Sequence, residues 1–280
     1  MVDIKCPSIT GIVLCLNEEH RLAKALNSLL WCDDILVVDS GSSDKSLEIA
    51  RSFNARVLIN KQKGQFLITE QRNVALRYGN IQSEWILFLD ADEEIGNECR
   101  AEIIRAISHH KSINAYEMTP RYWFFGKWLK RSQGYPNWHP RLLKSSGVSF
   151  VGGVWESFSD LNNVGRIRTP YEHFAFSKGT DDWIDRHQRY STWDAKHICD
   201  FLESKDEQML GTNRKLALRK VDAQLWYLKP ITKFLFRYLY KLGILEGWQG
   251  LLHCLLHFTY DMMVVVKIAE IRRKQMNKPL

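Results

Sequence analysis

Trp85-Ile-Leu-Phe-Leu-Asp90-Ala-Asp92-Glu93-Glu94 turns from wholly apolar to acidic within a few residues. A short apolar run without helical period, closed by acids, reads as a buried parallel strand whose carboxyl end carries polar chemistry. Working back along the chain, Ile9–Leu16, Ile35–Val38 and Arg56–Ile59 are further short strand candidates. Helical spacing falls between them. Leu22, Leu26, Leu29 and Leu30 mark a first helix, and Ser43 is a candidate N-cap for a second, carrying Leu47, Ala50 and Phe53. Val74, Ala75 and Tyr78 close a third helix, and Asn97 would cap a fourth through Ile103, Ile104 and Ile107. Strand and helix in alternation predict an α/β core, a mostly parallel sheet with helices on both faces. Such sheets bind ligands beyond the carboxyl ends of their strands. Polar residues stand at two such ends, Asp39-Ser40-Gly41-Ser42 after the second strand and Asp90-Ala91-Asp92 after the fourth.

Beyond this half the pattern changes. From Ala115 to Ser177 aromatics, Gly and Pro leave only short strand candidates, and Thr180 to Lys205 predicts a helix with Trp183, His187, Tyr190 and Trp193 at helical spacing. The expected division is 1–114, an α/β half, 115–205, a second half of the same domain, and 206–280, a basic amphipathic helical tail. The formal charge is +7, and from Lys229 onward nine Lys/Arg face three acids. Lys229, Lys233, Arg237 and Lys241 recur every four residues, a stripe beside Ile231, Phe234, Leu235, Tyr238 and Leu242. That arrangement suits an anionic membrane surface; packing of the same apolar face on the core is the alternative. No spanning helix is expected, because Glu246, Asp261 and Lys267 interrupt the late apolar stretch. Nor does a secretory leader appear, since Ile9–Leu16 leads straight into Asn17-Glu18-Glu19. Six Cys with no Cys-x-x-Cys argue against structural zinc and a disulfide framework, and for reduced thiols in a cytoplasmic enzyme.

Asp90 and Asp92 are two apart, so in extended backbone both carboxylates would project to one side. Paired carboxylates suit Mg²⁺ or Mn²⁺, hard cations that bridge to substrate phosphates. The plain alternative is a solvated turn that caps the next helix.

The order of segments adds to this. Ile12-Val-Leu-Cys-Leu-Asn17-Glu18-Glu19, Ile35-Leu-Val-Val-Asp39-Ser40-Gly41-Ser42-Ser43-Asp44, Gln71-Arg72-Asn73 and Phe88-Leu-Asp90-Ala-Asp92-Glu93 are followed by Tyr135-Pro136, Pro140-Arg141-Leu142, Gly153-Val154-Trp155-Glu156 and Glu172-His173-Phe174. Together they resemble family 2 glycosyltransferases of the GT-A fold, over roughly residues 8 to 200, and among them bacterial enzymes of lipopolysaccharide core assembly. The resemblance implies transfer of a hexose from a nucleotide diphosphate sugar, UDP-glucose or another UDP-hexose, to a saccharide or lipid-linked acceptor. It implies Asn17, Glu18, Asp39, Ser40 and Arg72 around the nucleotide, Asp90 on the ribose side, Asp92 and His173 at a divalent metal, and Glu156 as general base. This chain departs from the pattern at Ser40, where relatives carry a second acid, and at Trp155, where they carry His. An indole there would pack over an acceptor sugar or desolvate Glu156.

Read without the resemblance, Glu156 is an ordinary loop carboxylate. The aromatic-basic run Tyr122-Trp123-Phe-Phe-Gly126-Lys127-Trp128-Leu-Lys130-Arg131 offers rings to stack on sugars and cations for phosphorylated ones, or else an aromatic lid on the sheet. Arg141 would orient an acceptor phosphate through its fork, or lie exposed in a turn. Trp123, Lys127, Arg141 and Trp155 are therefore the acceptor candidates. A nucleotidyltransferase would need a Gly-rich basic loop after the first strand, and a dinucleotide oxidoreductase Gly-x-Gly-x-x-Gly; neither is present. A non-catalytic membrane-surface adaptor with a nucleotide-binding core leaves the polar strand ends unexplained, and no nucleic-acid motif is evident. The expected location is cytoplasmic, peripheral on the inner face of the cytoplasmic membrane.

Overall fold

The computed structural model describes residues 7–62, 66–110, 112–151, 156–204, 220–221 and 223–280. Contacts divide the chain into two units: Met1–Trp123 with Tyr135–Ser177, and Phe124–Gly134 with Lys178–Leu280. Through Ser177 the elements run β1 (Ile9–Cys15), α1 (Leu22–Asn27), β2 (Asp34–Asp39), α2 (Ser46–Ser52), β3 (Arg56–Ile59), α3 (Ile68–Tyr78), β4 (Trp85–Asp90) and β5 (Glu93–Glu94). They continue with α4 (Asn97–His109), β6 (Ala115–Phe124), β7 (Lys127–Trp128), β8 (His139–Lys144), β9 (Phe150–Val151), β10 (Ser157–Phe158) and β11 (Val164–His173).

In the first unit the sheet has the order β3-β2-β1-β4-β8-β6-β11-β5. The first four strands are parallel. β8 is antiparallel to both β4 and β6, β6 and β11 are parallel, and β5 is antiparallel to β11. The mixed, mostly parallel α/β fold expected from the sequence is therefore the fold of this unit. Alternation along each buried strand supplies both faces. Val13, Val37, Leu87 and Leu89 meet Leu22, Leu26, Leu29 and Ile103 on one side; Ile12, Leu36, Val38 and Phe88 meet Ala75 on the other. Gly11 makes room for α1's neighbour Leu29, whose methyl would lie 3.1 Å from a Cβ there. Chain order runs outward from β1 to β3 and then returns to β4 on β1's other side. The crevice between β1 and β4 is thus a topological switch point. Register sets Cys15 opposite Asp39 and Leu14 opposite Asp90, which brings the polar strand ends side by side.

Three local expectations change. α2 begins at Ser46, whose N–H is accepted by Asp44 Oδ1 at 2.9 Å, so the cap is not Ser43. α4 has Gly96 at its cap and no side-chain cap bond, with Asn97 already helical. Where short strands were expected, β6 and β11 are ten residues each.

The second unit contains α5 (Gly179–Ser204), α6 (Lys229–Leu235), a π-helical turn (Phe236–Tyr240), a 3-10 turn (Gly243–Glu246) and α7 (Gly247–Gln275). α5 matches its predicted span. Lys229 is not part of an exposed stripe: it is buried, with Nζ 3.5 Å from Asp261, itself buried on α7. The expectation that the late apolar stretch is too interrupted to span changes in length and composition alone. Gly243–Gln275 is long and apolar enough to cross a membrane by length and composition. Glu246 and Asp261 do not break it because both are buried and paired inside this unit. Cys15, Cys32, Cys99, Cys199 and Cys254 are free thiols; Cys6 lies outside the described residues. Burial pushes Cys15 to about 11 and Cys32 and Cys99 to about 12, so these thiols are poor nucleophiles at neutral pH.

Candidate active site

The loops after β1 and β2 are tied to each other. Asn17, at φ 54°, accepts the Ser43 N–H on Oδ1 at 2.8 Å and donates its own N–H to Ser42 Oγ at 2.8 Å. Glu18 N–H donates to Ser46 Oγ at 2.9 Å. Asp39 is buried and accepts from Gly41 N–H, Ser42 N–H and the Ser42 hydroxyl. Its carboxylate builds its own loop. Ser40 Oγ accepts from Gln71 Nε2 at 3.0 Å, and Gln71 also accepts from Asn60 Nδ2 at 2.7 Å. Four predicted donor residues, Asn17, Glu18, Asp39 and Ser40, are thus gathered at one edge of the crevice. The amides of Gln71, from the quoted Gln71-Arg72-Asn73 run but given no role there, and Asn60, missed in the sequence, stand behind Ser40.

A second cluster gathers Arg72, Asp90, Arg141 and Glu156. β4 ends at Asp90, and the chain turns at once through Ala91-Asp92, with Asp90 N–H bonded back to Glu93 Oε2 at 3.0 Å. Ala91 and Asp92 therefore lie in a turn and not in extended strand, and both aspartates still act on His173. Asp90 faces two arginines: Arg141 Nη2 at 3.1 Å and Arg72 Nη2 at 3.4 Å. Asp92 faces His173, Oδ2 to Nε2 at 3.7 Å.

Arg72 is fully buried. Its guanidinium donates to Pro140 O at 3.0 Å, lies 2.9 Å from Glu156 Oε2, and sits over the Phe150 ring at 5.2 Å. Arg141 is buried as well and donates to Glu156 Oε1 at 3.0 Å and Glu93 Oε1 at 2.9 Å. Its fork is occupied by carboxylates of its own chain, which corrects the picture of an exposed turn residue. Burial works against the charge on Arg141, but Glu93, Asp90 and Glu156 outweigh it and raise its pKa well above the ordinary value. Glu93 is fully buried; burial raises its pKa, with Arg141 pulling the other way. The sequence reading placed it in the Asp90-Ala91-Asp92-Glu93 motif but gave it no role.

His173 ends β11, its ring edge-on to Tyr122 at 5.5 Å and its Nδ1 3.9 Å from Glu93. Burial lowers its pKa, but Asp92, Glu93 and Asp90 together reverse this and raise it. Among the described residues no group of three or more His, Cys, Asp and Glu forms a ready-made metal cage. A carboxylate and an imidazole on one side, with Glu93 behind the imidazole, still fit a hard cation that fills its other positions with phosphate and water.

Of the acceptor candidates, Arg141 lies in the cluster with Glu156. Trp123 Nε1 donates to Glu172 Oε2 at 2.5 Å, and its ring stacks on Phe174 at 6.3 Å. Lys127 belongs to the second unit, where Nζ donates to Glu246 O at 2.8 Å. Trp155 lies outside the described residues.

Several known proteins resemble this chain. An uncharacterised glycosyltransferase of Rickettsia typhi is 24% identical over 96% of this chain and 89% of its own length. The lipopolysaccharide core biosynthesis glycosyltransferase LpsC of Rhizobium meliloti is 25% identical over 66% of this chain and 69% of its own. Among solved structures, glucosyl-3-phosphoglycerate synthase of Mycobacterium tuberculosis, in complex with Mn²⁺ and UDP-glucose, is similar with TM-score 0.43 and 15% identity over 60% of this chain and 71% of that one. Residues 10–161 match Glycosyl transferase family 2. That match covers over half of the chain, which therefore belongs to this family and is a glycosyltransferase using nucleotide sugars.

Proposed function

We propose that the enzyme is an inverting hexosyltransferase. It moves a sugar from a UDP-hexose, UDP-glucose being the preferred donor, to a hydroxyl of a lipid-linked or lipopolysaccharide-core saccharide. The observation that carries this reading is the placement of Glu156. Its carboxylate is held by two buried arginines, Arg141 at 3.0 Å and Arg72 at 2.9 Å, which also hold Asp90 from the crevice side of β4. A general base must be oriented before the acceptor arrives, and two fixed guanidiniums do that without solvent reorganisation.

In this mechanism Asn17, Glu18, Asp39 and Ser40 bind the nucleoside end of the donor at the β1 and β2 edge, and Asp90 lies towards the ribose. Asp92 and His173 would hold Mg²⁺ or Mn²⁺, which when bound neutralises charge on the departing diphosphate. Glu156 takes the acceptor hydroxyl proton as that oxygen attacks the anomeric carbon from the face opposite the diphosphate, so no covalent enzyme intermediate forms. Arg72 and Arg141 act by holding Glu156 and Asp90, both arginines being buried. The core saccharide acceptor is supported by the name of the Rhizobium relative. A lipid-linked acceptor places the enzyme at the inner face of a membrane, where the basic C-terminal segment meets anionic lipid.

Thermal shift against UDP, GDP and CMP and their sugars, with and without Mn²⁺, tests the donor. Binding to the native state raises apparent stability by mass action. Stabilisation by UDP and UDP-hexoses alone is expected. No response to any nucleotide would instead favour the membrane-surface adaptor.

A further inference from the structure

The second unit displays large apolar side chains at one corner. Tyr240 is 76% exposed, Leu245 63% and Trp248 56%, and Phe236, Leu239 and Ile244 beside them are also exposed. Soluble monomers rarely leave so many neighbouring large side chains in water without a use for them. The corner is not a loose loop. Glu246, the last residue of the 3-10 turn, is buried and accepts the N–H groups of Arg131 at 2.6 Å and Ser132 at 2.9 Å. Gly243 and Gly250 are pressed together: a Cβ on Gly250 would lie 2.3 Å from Gly243 O. Ile244, Leu245 and Trp248 are thereby held outward on a fixed backbone.

Charge around the corner has one sign. Between Lys229 and Ala269 there are two carboxylates, Glu246 and Asp261, and both are buried. Lys130, Arg131 and Lys241 are exposed. A second copy of the chain would bring like charges together, which opposes self-association. An anionic lipid surface complements both the rings and the cations.

α7 does not cross the bilayer in this arrangement, although its length of about 43 Å exceeds a hydrocarbon thickness of about 30 Å. Its polar face is committed to α5: Lys267 Nζ bonds Gln188 O at 2.6 Å, Ser191 Oγ at 2.8 Å and Thr192 Oγ1 at 2.7 Å. α5 in turn exposes Asp181, Asp185, Arg189 and Lys196, which exclude it from hydrocarbon. We propose that Phe236, Leu239, Tyr240, Ile244, Leu245 and Trp248 form a monotopic anchor that inserts into the headgroup–acyl boundary of an anionic bilayer, with α7 lying along the surface. The inference builds on the membrane-held acceptor proposed above, and replaces a salt-sensitive basic stripe with apolar insertion.

The full chain is sedimented with vesicles of phosphatidylcholine and phosphatidylglycerol at rising salt. Binding should persist at about 1 M salt, where screening falls to about 3 Å. Ile244→Glu/Leu245→Glu should weaken partition by about 10²-fold. Both positions are exposed, so unchanged circular dichroism and melting are the fold control. Brominated acyl chains should quench the fluorescence of the intact chain more than that of Trp248→Phe. Complete release by salt, or equal quenching, would overturn insertion in favour of surface charge alone. Resistance to alkaline carbonate extraction would show a spanning helix instead. A dimer in analytical ultracentrifugation that the double variant abolishes, without vesicle binding, would make the occupant a second copy. UDP binding measured without vesicles reports on the glycosyltransfer reading separately, and the double variant should leave it unchanged.

Discussion

Arg141 Nη1 donates to Glu156 Oε1 at 3.0 Å, and the other arm of the same guanidinium reaches Glu93 Oε1 at 2.9 Å. One buried cation therefore ties the proposed base to a strand end. Arg141→Met leaves Glu93 buried without its partner, and removing one member of a buried pair costs about 3–5 kcal/mol. The melting temperature should fall sharply. Arg141→Lys should recover little of it, because an ammonium cannot span both carboxylates with a fixed fork. A lysine variant as stable as the natural chain would contradict this account.

Glu156→Gln keeps the shape and one acceptor oxygen while removing the proton acceptor. Transfer should fall by about 10²–10⁴-fold with UDP affinity retained. The pairing with Arg72 and Arg141 makes a purely structural role the rival. That role would show as a lowered melting temperature with a correspondingly smaller loss of turnover per folded molecule.

Asp92→Ala should abolish the additional stabilisation that Mn²⁺ gives to UDP binding, and transfer with it, at an unchanged melting temperature in the absence of ligand. Asp92 sits on a turn with part of its side chain in water, so the fold does not depend on it. Isothermal titration of UDP with and without Mn²⁺ reads this out; an undiminished metal effect would move the cation elsewhere.

Acid should loosen the second unit first. His187 stacks on Trp183 at 3.7 Å, with its Nδ1 2.7 Å from Trp183 O; burial lowers its pKa to about 4. Arg186 and Asp182 are its charged neighbours, and the rings of Tyr190, His257 and Tyr260 face it. Burial lowers His253 to about 3, with Arg237 adding to the shift and His257 and Phe124 against its ring. Unfolded histidines titrate near 6.5, so between that value and the folded ones the unfolded chain binds more protons. Stability from these groups is complete above about pH 6.5 and declines as pH falls towards 4 and then 3. Melting followed by near-ultraviolet circular dichroism from pH 8 to pH 4 should show the decline, and His187→Phe should flatten it. An identical slope in the variant would locate the proton uptake elsewhere.

Lys229→Met should destabilise, because Asp261 stays buried without its cation 3.5 Å away. Lys229→Met/Asp261→Leu should recover most of the loss, since apolar replacement of both members of a buried pair is often close to neutral. Additive losses across this cycle would mean that the two side chains do not interact.

The parallel half was legible because its strands are buried on both faces and appear as unbroken apolar runs: Ile12–Leu14, Ile35–Val38 and Trp85–Leu89 need no partner to be recognised. β6 and β11 were not, since Glu117, Pro120 and Arg121 in one, and Arg166, Arg168 and Pro170 in the other, break any simple period. Motif order gathered Asn17, Asp39, Asp90 and Glu156 into one list but could not show who holds whom. Arg141 meets Asp90 from 51 residues away and Arg72 meets Pro140 from 68, separations that no local pattern encodes. Charge counting misled for the same reason at Glu246 and Lys229, which look exposed until the distant groups that bury them are known.

The hold of Glu246 on the N–H of Ser132 joins positions 114 residues apart. The second unit is thus threaded through the first in sequence, leaving it at Phe124 and resuming at Lys178. During synthesis from the N-terminus the sheet of the first unit can assemble as soon as β11 emerges, while residues 124–134 wait without the carboxylate that pins them. Closing so large a loop adds little entropy beyond that of a shorter one, but the order of events is imposed by the chain. The corner carrying Leu245 and Trp248 is therefore completed last, after every strand of the first unit has been made.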